Sequence, residues 1–170
     1  QQAQMAPDPG TGLAFLSFAC ESGPACSEAV RKAIAMSLDI DGFVSRDEGN
    51  AARRVYGYYG LGQWMAFDTD EETGREMPTE LAKLAVLRDI DAANKLLASD
   101  GWNLNESGRV YIQGSDQVRY RQGEAGLEPL EISWAKMEGS NVADELEVAL
   151  TEAMQLIGVR LSVTELPFTE

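Results

Sequence analysis

Residues 130–163 place the tightest constraint on the fold. Leu130, Ile132 and Trp134 alternate with polar neighbours, as in a strand that buries one face. Val142, Leu146, Ala149, Leu150, Ala153, Met154 and Ile157 then recur at helical spacing. Ser140 or Asn141 is the expected N-cap, and Gly158 ends the helix. Val159, Leu161 and Val163 alternate again. A strand, a helix and a strand in this order predict a right-handed crossover between parallel strands. The fold class that follows is α/β, a mixed sheet with helices packed on it.

The rest of the chain supplies further helices and less regular pieces. Residues 1–11 are polar with two prolines and read as a flexible leading segment. Residues 12–170 read as one α/β lobe. Leu13, Phe15, Leu16 and Phe18 mark a buried strand over 12–20. Ser27 caps a helix whose inner face is Val30, Ala33, Ile34 and Leu38. Asp41 opens a second, short helix with Phe43 and Val44. Thr79 caps a short helix over Leu81, Leu84 and Leu87. Asp89 caps the next helix, which buries Ala92, Ala93, Leu96 and Leu97, stops at Gly101, and is covered by Trp102. Between 103 and 128 a weak hairpin is expected, pairing residues 110–112 with 118–120.

Composition removes several classes of function. The chain has no histidine, so Ser-His-Asp, Cys-His and histidine-ligated zinc chemistry have no residues to run on. The net charge of −14 repels phosphate backbones, so no nucleic-acid partner is expected. No apolar run approaches the ~20 residues that span a bilayer, so this segment inserts in no membrane. Gly57, Gly60 and Gly62 lack the lysine and hydroxyl residue of a P-loop. Asp68, Asp70 and Glu72 lack the glycine and distal glutamate of a calcium loop. No metal or cofactor is expected.

Two features remain as site candidates. Tyr58, Tyr59, Gln63 and Trp64 lie in a glycine-rich aromatic loop over 55–67, and their flat faces with polar tips suit a ligand cleft. The alternative is that they staple this loop to the core. Cys20 and Cys26 flank a Gly23-Pro24 turn. A disulfide closing that loop and two unpaired thiols both fit this spacing.

In order and in kind, these pieces resemble the second lobe of the family 5 extracellular solute-binding proteins. The family's strand reading roughly "lxFNc" is matched by Leu16-Ser17-Phe18-Ala19-Cys20, with alanine where the family often has asparagine. Its "VRQAIayaiDrdaiV" is matched by Val30 through Val44. A glycine-rich segment ending in an aromatic follows at Tyr56–Trp64. Arg88 through Trp102 matches "yDpekAkklLaeaGw", and Leu150 through Phe168 matches "lxaqlxxiGixvelxxvdf". The resemblance spans about 12–168. It implies a type II periplasmic-binding-protein-like lobe and a binding protein instead of an enzyme. It also implies part of a longer two-lobe protein, in which these residues form at most half of the cleft. The implied ligand is a peptide or similar solute, and the implied partners are the permease subunits of an ABC importer. The implied location is extracellular or periplasmic, with the full-length protein anchored as a lipoprotein. The rivals are a stand-alone extracellular interaction domain and a carboxylate-dependent hydrolase.

Overall fold

The computed structural model describes residues 14–46, 54–56 and 85–167, and the backbone of 67–69 and 76–78. In chain order its elements are a 3-10 turn Pro24–Cys26, α1 (Glu28–Ser37), α2 (Ile40–Ser45), β1 (Phe67–Thr69), β2 (Glu76–Pro78), α3 (Ile90–Ser99), β3 (Tyr120–Gly123), β4 (Gly126–Pro129), β5 (Glu131–Met137), α4 (Asn141–Leu156) and β6 (Arg160–Leu166). They fall into two compact units. The first comprises Gln1–Leu16 and Ile40–Ala85, and the second Ser17–Asp39 and Val86–Glu170.

In the first unit, α2 forms where Asp41 supplies an acidic residue to the first turn. Arg54 pairs with Asp41 at 3.3 Å and lies over the Tyr56 ring, 5.3 Å from its centroid. β1 and β2 are antiparallel, with Phe67 opposite Pro78 and Thr69 opposite Glu76. The sequence pattern gave no strand here, because three-residue strands are too short to establish a period.

In the second unit, α1 buries Val30, Ala33 and Ile34 as the spacing requires. Ser27 holds the N-cap position but does not cap with its hydroxyl. The hydroxyl donates instead to Asp100 Oδ2 at 2.7 Å, tying the start of α1 to the end of α3. α3 is capped by Asp89, whose Oδ1 accepts from Ala92 N–H at 2.8 Å. Asp89 N–H in turn donates to Met36 O at 2.9 Å. One backbone hydrogen bond therefore joins the point where the chain leaves this unit to the point where it returns.

Both α3 and α4 end in the same way. At Gly101 φ is +92° and at Gly158 it is +73°, the left-handed region that favours glycine. Trp102 N–H donates to Leu97 O, and Gly101 N–H to Ala98 O. Val159 N–H donates to Met154 O, and Gly158 N–H to Gln155 O. These are paired Schellman bonds, with an apolar residue folded back over each helix end. Trp102 and Ile157 are fully buried, each side chain contributing ~1.5–3 kcal/mol before entropy is subtracted. Trp102 Nε1 has no hydrogen-bond partner among the described residues.

β5 and β6 are parallel over seven residues, from Glu131 opposite Arg160 to Met137 opposite Leu166, joined by α4. Ser140 Oγ accepts from Ala143 N–H at 3.3 Å, which fixes the N-cap. Leu150, Ala153 and Met154 of α4 are buried, whereas Val142 is 51% exposed, so the apolar stripe is covered only along its C-terminal part.

Three expectations need correction. Residues 14–20 form no strand: Phe15 is exposed, and no described strand offers them a ladder. The hairpin is β3–β4, turning at Glu124-Ala125, and not 110–112 with 118–120. There Leu104 bridges both Val110 and Tyr120, so it lies between the two stretches expected to pair. Residues 85–89 are irregular and Leu87 is exposed, so no helix covers Leu87. The remainder of that expected helix, 79–84, lies outside the described residues.

Candidate functional site

The crossover β5–α4–β6 brings charged groups together at the carboxyl ends of two parallel strands. In open α/β sheets, ligands bind outside this edge. Ile132, Trp134 and Lys136 share one face of β5 by strand alternation. Lys136 is therefore a cation at an apolar-parity position, and its side chain is only 6% exposed. Three carboxylates surround its Nζ: Asp144 at 2.6 Å and Glu147 at 2.6 Å, both on α4, and Glu165 at 3.1 Å on β6. Hydrogen bonds that the ammonium donates to Asp144 and Glu147 lead the causes that raise the Lys136 pKa above its ordinary 10.5, outweighing burial. The ammonium thus stays charged across the neutral range, and the cluster as a whole carries an acidic excess. This arrangement locks β5, β6 and α4 in register.

A second buried cation sits at the opposite ends of the helices. Arg119 is 4% exposed and pairs with no described carboxylate. Its Nη1 donates to Trp102 O at 2.7 Å, its Nε to Ile157 O at 2.9 Å, and its Nη2 to Asn94 Oδ1 at 2.6 Å. The first two acceptors lie just past the C-termini of α3 and α4, where helix dipoles favour a cation. Its guanidinium also stacks 3.9 Å from the centroid of Tyr111. Burial pulls the Arg119 pKa down, and the Tyr111 phenol opposes it. Burial pushes the Tyr111 pKa up.

Sequence reasoning singled out neither cation. Lys136 was detectable as a charge on the same parity as Leu130, Ile132 and Trp134. Asn94 was detectable as an amide beside Ala93 and Leu97 on the apolar stripe of α3. Nothing local marks Arg119, whose acceptors come from residues distant in sequence.

Tyr58, Tyr59, Gln63 and Trp64, the cleft candidates, lie outside the described residues. Their neighbour Tyr56 is described and is 47% exposed. Cys20 and Cys26 are free thiols, both exposed. Among the described residues no group of three or more Asp, Glu or Cys side chains is arranged to hold a metal ion, and no helix is long and apolar enough to cross a membrane.

Comparison with known proteins adds a family and a fold. The sequence model of the bacterial extracellular solute-binding proteins, family 5 (middle region), matches residues 1–170. No curated protein matches the chain by sequence. Solved structures match it in fold. The oligopeptide-binding protein of Thermus thermophilus, complexed with a pentapeptide, superposes with a TM-score of 0.60 at 16% identity, over 82% of this chain and 20% of its own. NikA of Brucella suis, in complex with Fe(III)-EDTA, gives 0.60 at 17%, over 86% and 24%. A periplasmic oligopeptide-binding protein of Thermotoga maritima, with bound mannohexaose, gives 0.60 at 17%, over 88% and 24%. At these identities the likeness concerns the fold. The chain spans between a fifth and a quarter of the length of these proteins.

Proposed function

This chain belongs to the bacterial extracellular solute-binding proteins, family 5, and from that premise we infer that it serves the capture of peptides for an ABC importer. The family match over residues 1–170 carries this reading. In it, the chain forms part of one lobe and supplies at most half of a cleft, the other wall coming from a second lobe. The two lobes close on the solute by hinge motion, and the closed form docks on permease subunits. The full-length protein works outside the cytoplasmic membrane, held there as a lipoprotein. Tyr58, Tyr59, Gln63 and Trp64 line the cleft.

Peptide is preferred as the solute because the T. thermophilus protein, of the same fold, holds a pentapeptide. An oligosaccharide is the second reading, since the T. maritima protein holds mannohexaose. The test uses a chain carrying both lobes, offered a pool of short peptides and a pool of oligosaccharides, with the retained solute identified by native mass spectrometry. Retained peptides are the expected result. Retention of sugars alone would replace the peptide reading with the second. Replacing Tyr58, Tyr59, Gln63 and Trp64 singly by alanine should weaken binding with unchanged stability. Unchanged affinity in all four removes them from the cleft.

A further inference from the structure

Cys20 and Cys26 bracket a bend and a 3-10 turn. Gly23 adopts φ +75°, and Pro24 opens the 3-10 turn. Cys26 N–H donates to Gly23 O at 3.1 Å, and Ser27 N–H to Pro24 O at 3.1 Å. The exit of the turn is held from α1, because Arg31 Nη1 donates to the carbonyls of Ala25 and Cys26, each at 2.8 Å. Residues 14–20 join no described strand or helix, and Cys20 Sγ turns back on its own segment, 3.4 Å from Phe18 O. The backbone of Cys26 is thus held at a helix entrance. Cys20 stands on irregular backbone, and both thiols are exposed.

We propose that Cys20 and Cys26 are a disulfide-forming pair, whose intrachain bond closes the loop over residues 20–26 at the start of α1. The family's extracellular setting supplies the oxidising surroundings in which such bonds persist. The proposal does not depend on which solute is captured. The oxidant is a low-molecular-weight disulfide. The thiolate of one cysteine attacks a sulfur of the oxidant and expels one thiolate, which takes up a proton. The thiolate of the second cysteine attacks the protein sulfur of the mixed disulfide and expels the other. Two protein thiols thereby lose two electrons and two protons, and the oxidant becomes two thiols. The bond fastens residues 17–20 to α1, and through the Ser27–Asp100 hydrogen bond to the end of α3.

The test starts from the reduced full chain, treated with glutathione disulfide. The expected product is lighter by two hydrogens and resists alkylation at both cysteines while folded. No lysine or arginine precedes Arg31, so trypsin leaves both cysteines in one peptide. Further cleavage after Glu21 should give two pieces that part only on reduction. The oxidised chain should melt about 5 °C above the reduced one. A chain carrying C20S and C26S together should show no such difference. Three results overturn the proposal: a cysteine that remains alkylatable after treatment, a cysteine left carrying glutathione, or a bond joining two chains.

Discussion

At Gly158 the backbone takes φ +73°, and an added Cβ would stand 2.6 Å from Tyr111 Oη and 2.8 Å from Arg119 Cγ. At Gly101 φ is +92°, but an added Cβ meets nothing within 4 Å. The pair separates backbone strain from close packing. Gly101→Ala should cost about 1 kcal/mol for the left-handed conformation alone. Gly158→Ala should cost about 3 kcal/mol, because Tyr111 and Arg119 must also move. Denaturant midpoints of the two variants check this, and equal losses would show that the contact at Gly158 does not matter. Arg119 invites a related comparison. Its planar fork reaches three acceptors on separate pieces of chain, which one ammonium cannot reproduce. Arg119→Lys should lower stability by about 2 kcal/mol in the same assay. A loss under about 0.5 kcal/mol would mean that water replaces the fork readily. Both glycines were legible as helix stops, since each follows an apolar stripe. The close approach at Gly158 was not, because Tyr111 and Arg119 belong to a stretch with no period.

Among the elements, the crossover depends on one cation. The Lys136 pKa is raised in the folded chain above its ordinary 10.5. The stabilisation is therefore complete below pH 10.5 and is lost as pH rises through the folded value. Melting temperature followed against pH should fall above that point in the natural chain. In Lys136→Met the alkaline fall should be shallower and the neutral melting temperature lower, since three carboxylates then face one another without a counter-charge. Equal alkaline slopes in the two chains would sink this account. Helix α3 offers a smaller effect. Asp89→Ala removes its side-chain cap and should cost about 1 kcal/mol, measured by urea denaturation. The strand–helix–strand unit was legible because its three apolar patterns are long and abut without a break. The stretch 12–20 misled because a short apolar run predicts burial without saying what would cover it. Strand pairing is a property of two segments, and none of the described strands pairs with residues 14–20.

For the whole molecule, the proposed division of the cleft makes a prediction about solute. A peptide that raises the melting temperature of the two-lobe protein should leave that of residues 1–170 unchanged. Stabilisation by ligand grows with its concentration relative to Kd, and half a cleft makes too few contacts to bind tightly, so tight binding by residues 1–170 alone would count against a half cleft. Differential scanning fluorimetry on both chains decides it. At this scale the family was legible from motifs in a fixed order, although identity to the solved structures is only 16–17%. The charge of −14 argues against a nucleic-acid partner but points to no solute, because a cleft occupies little of the surface that sets net charge. The cleft candidates remained a matter of composition, since aromatic residues among glycines show no periodicity that aims them.

The hydrogen bond from Asp89 N–H to Met36 O has a consequence for how such a chain can be cut and rejoined. It spans only the width of one backbone contact, while the polymer between its ends runs from residue 37 to residue 88. To the second unit, that whole excursion is a loop whose two mouths already touch. Its length can change between descendants without disturbing α1 or α3, since closing a longer loop costs little more. The same arithmetic allows removal. A gene joining residues 17–39 to 86–170 through about four linker residues should encode a folded product, whose α1 and α3 amides resist hydrogen exchange. In lineage terms, the site is a splice point that selection can use to lengthen or exchange the insert while the frame around it stays the same.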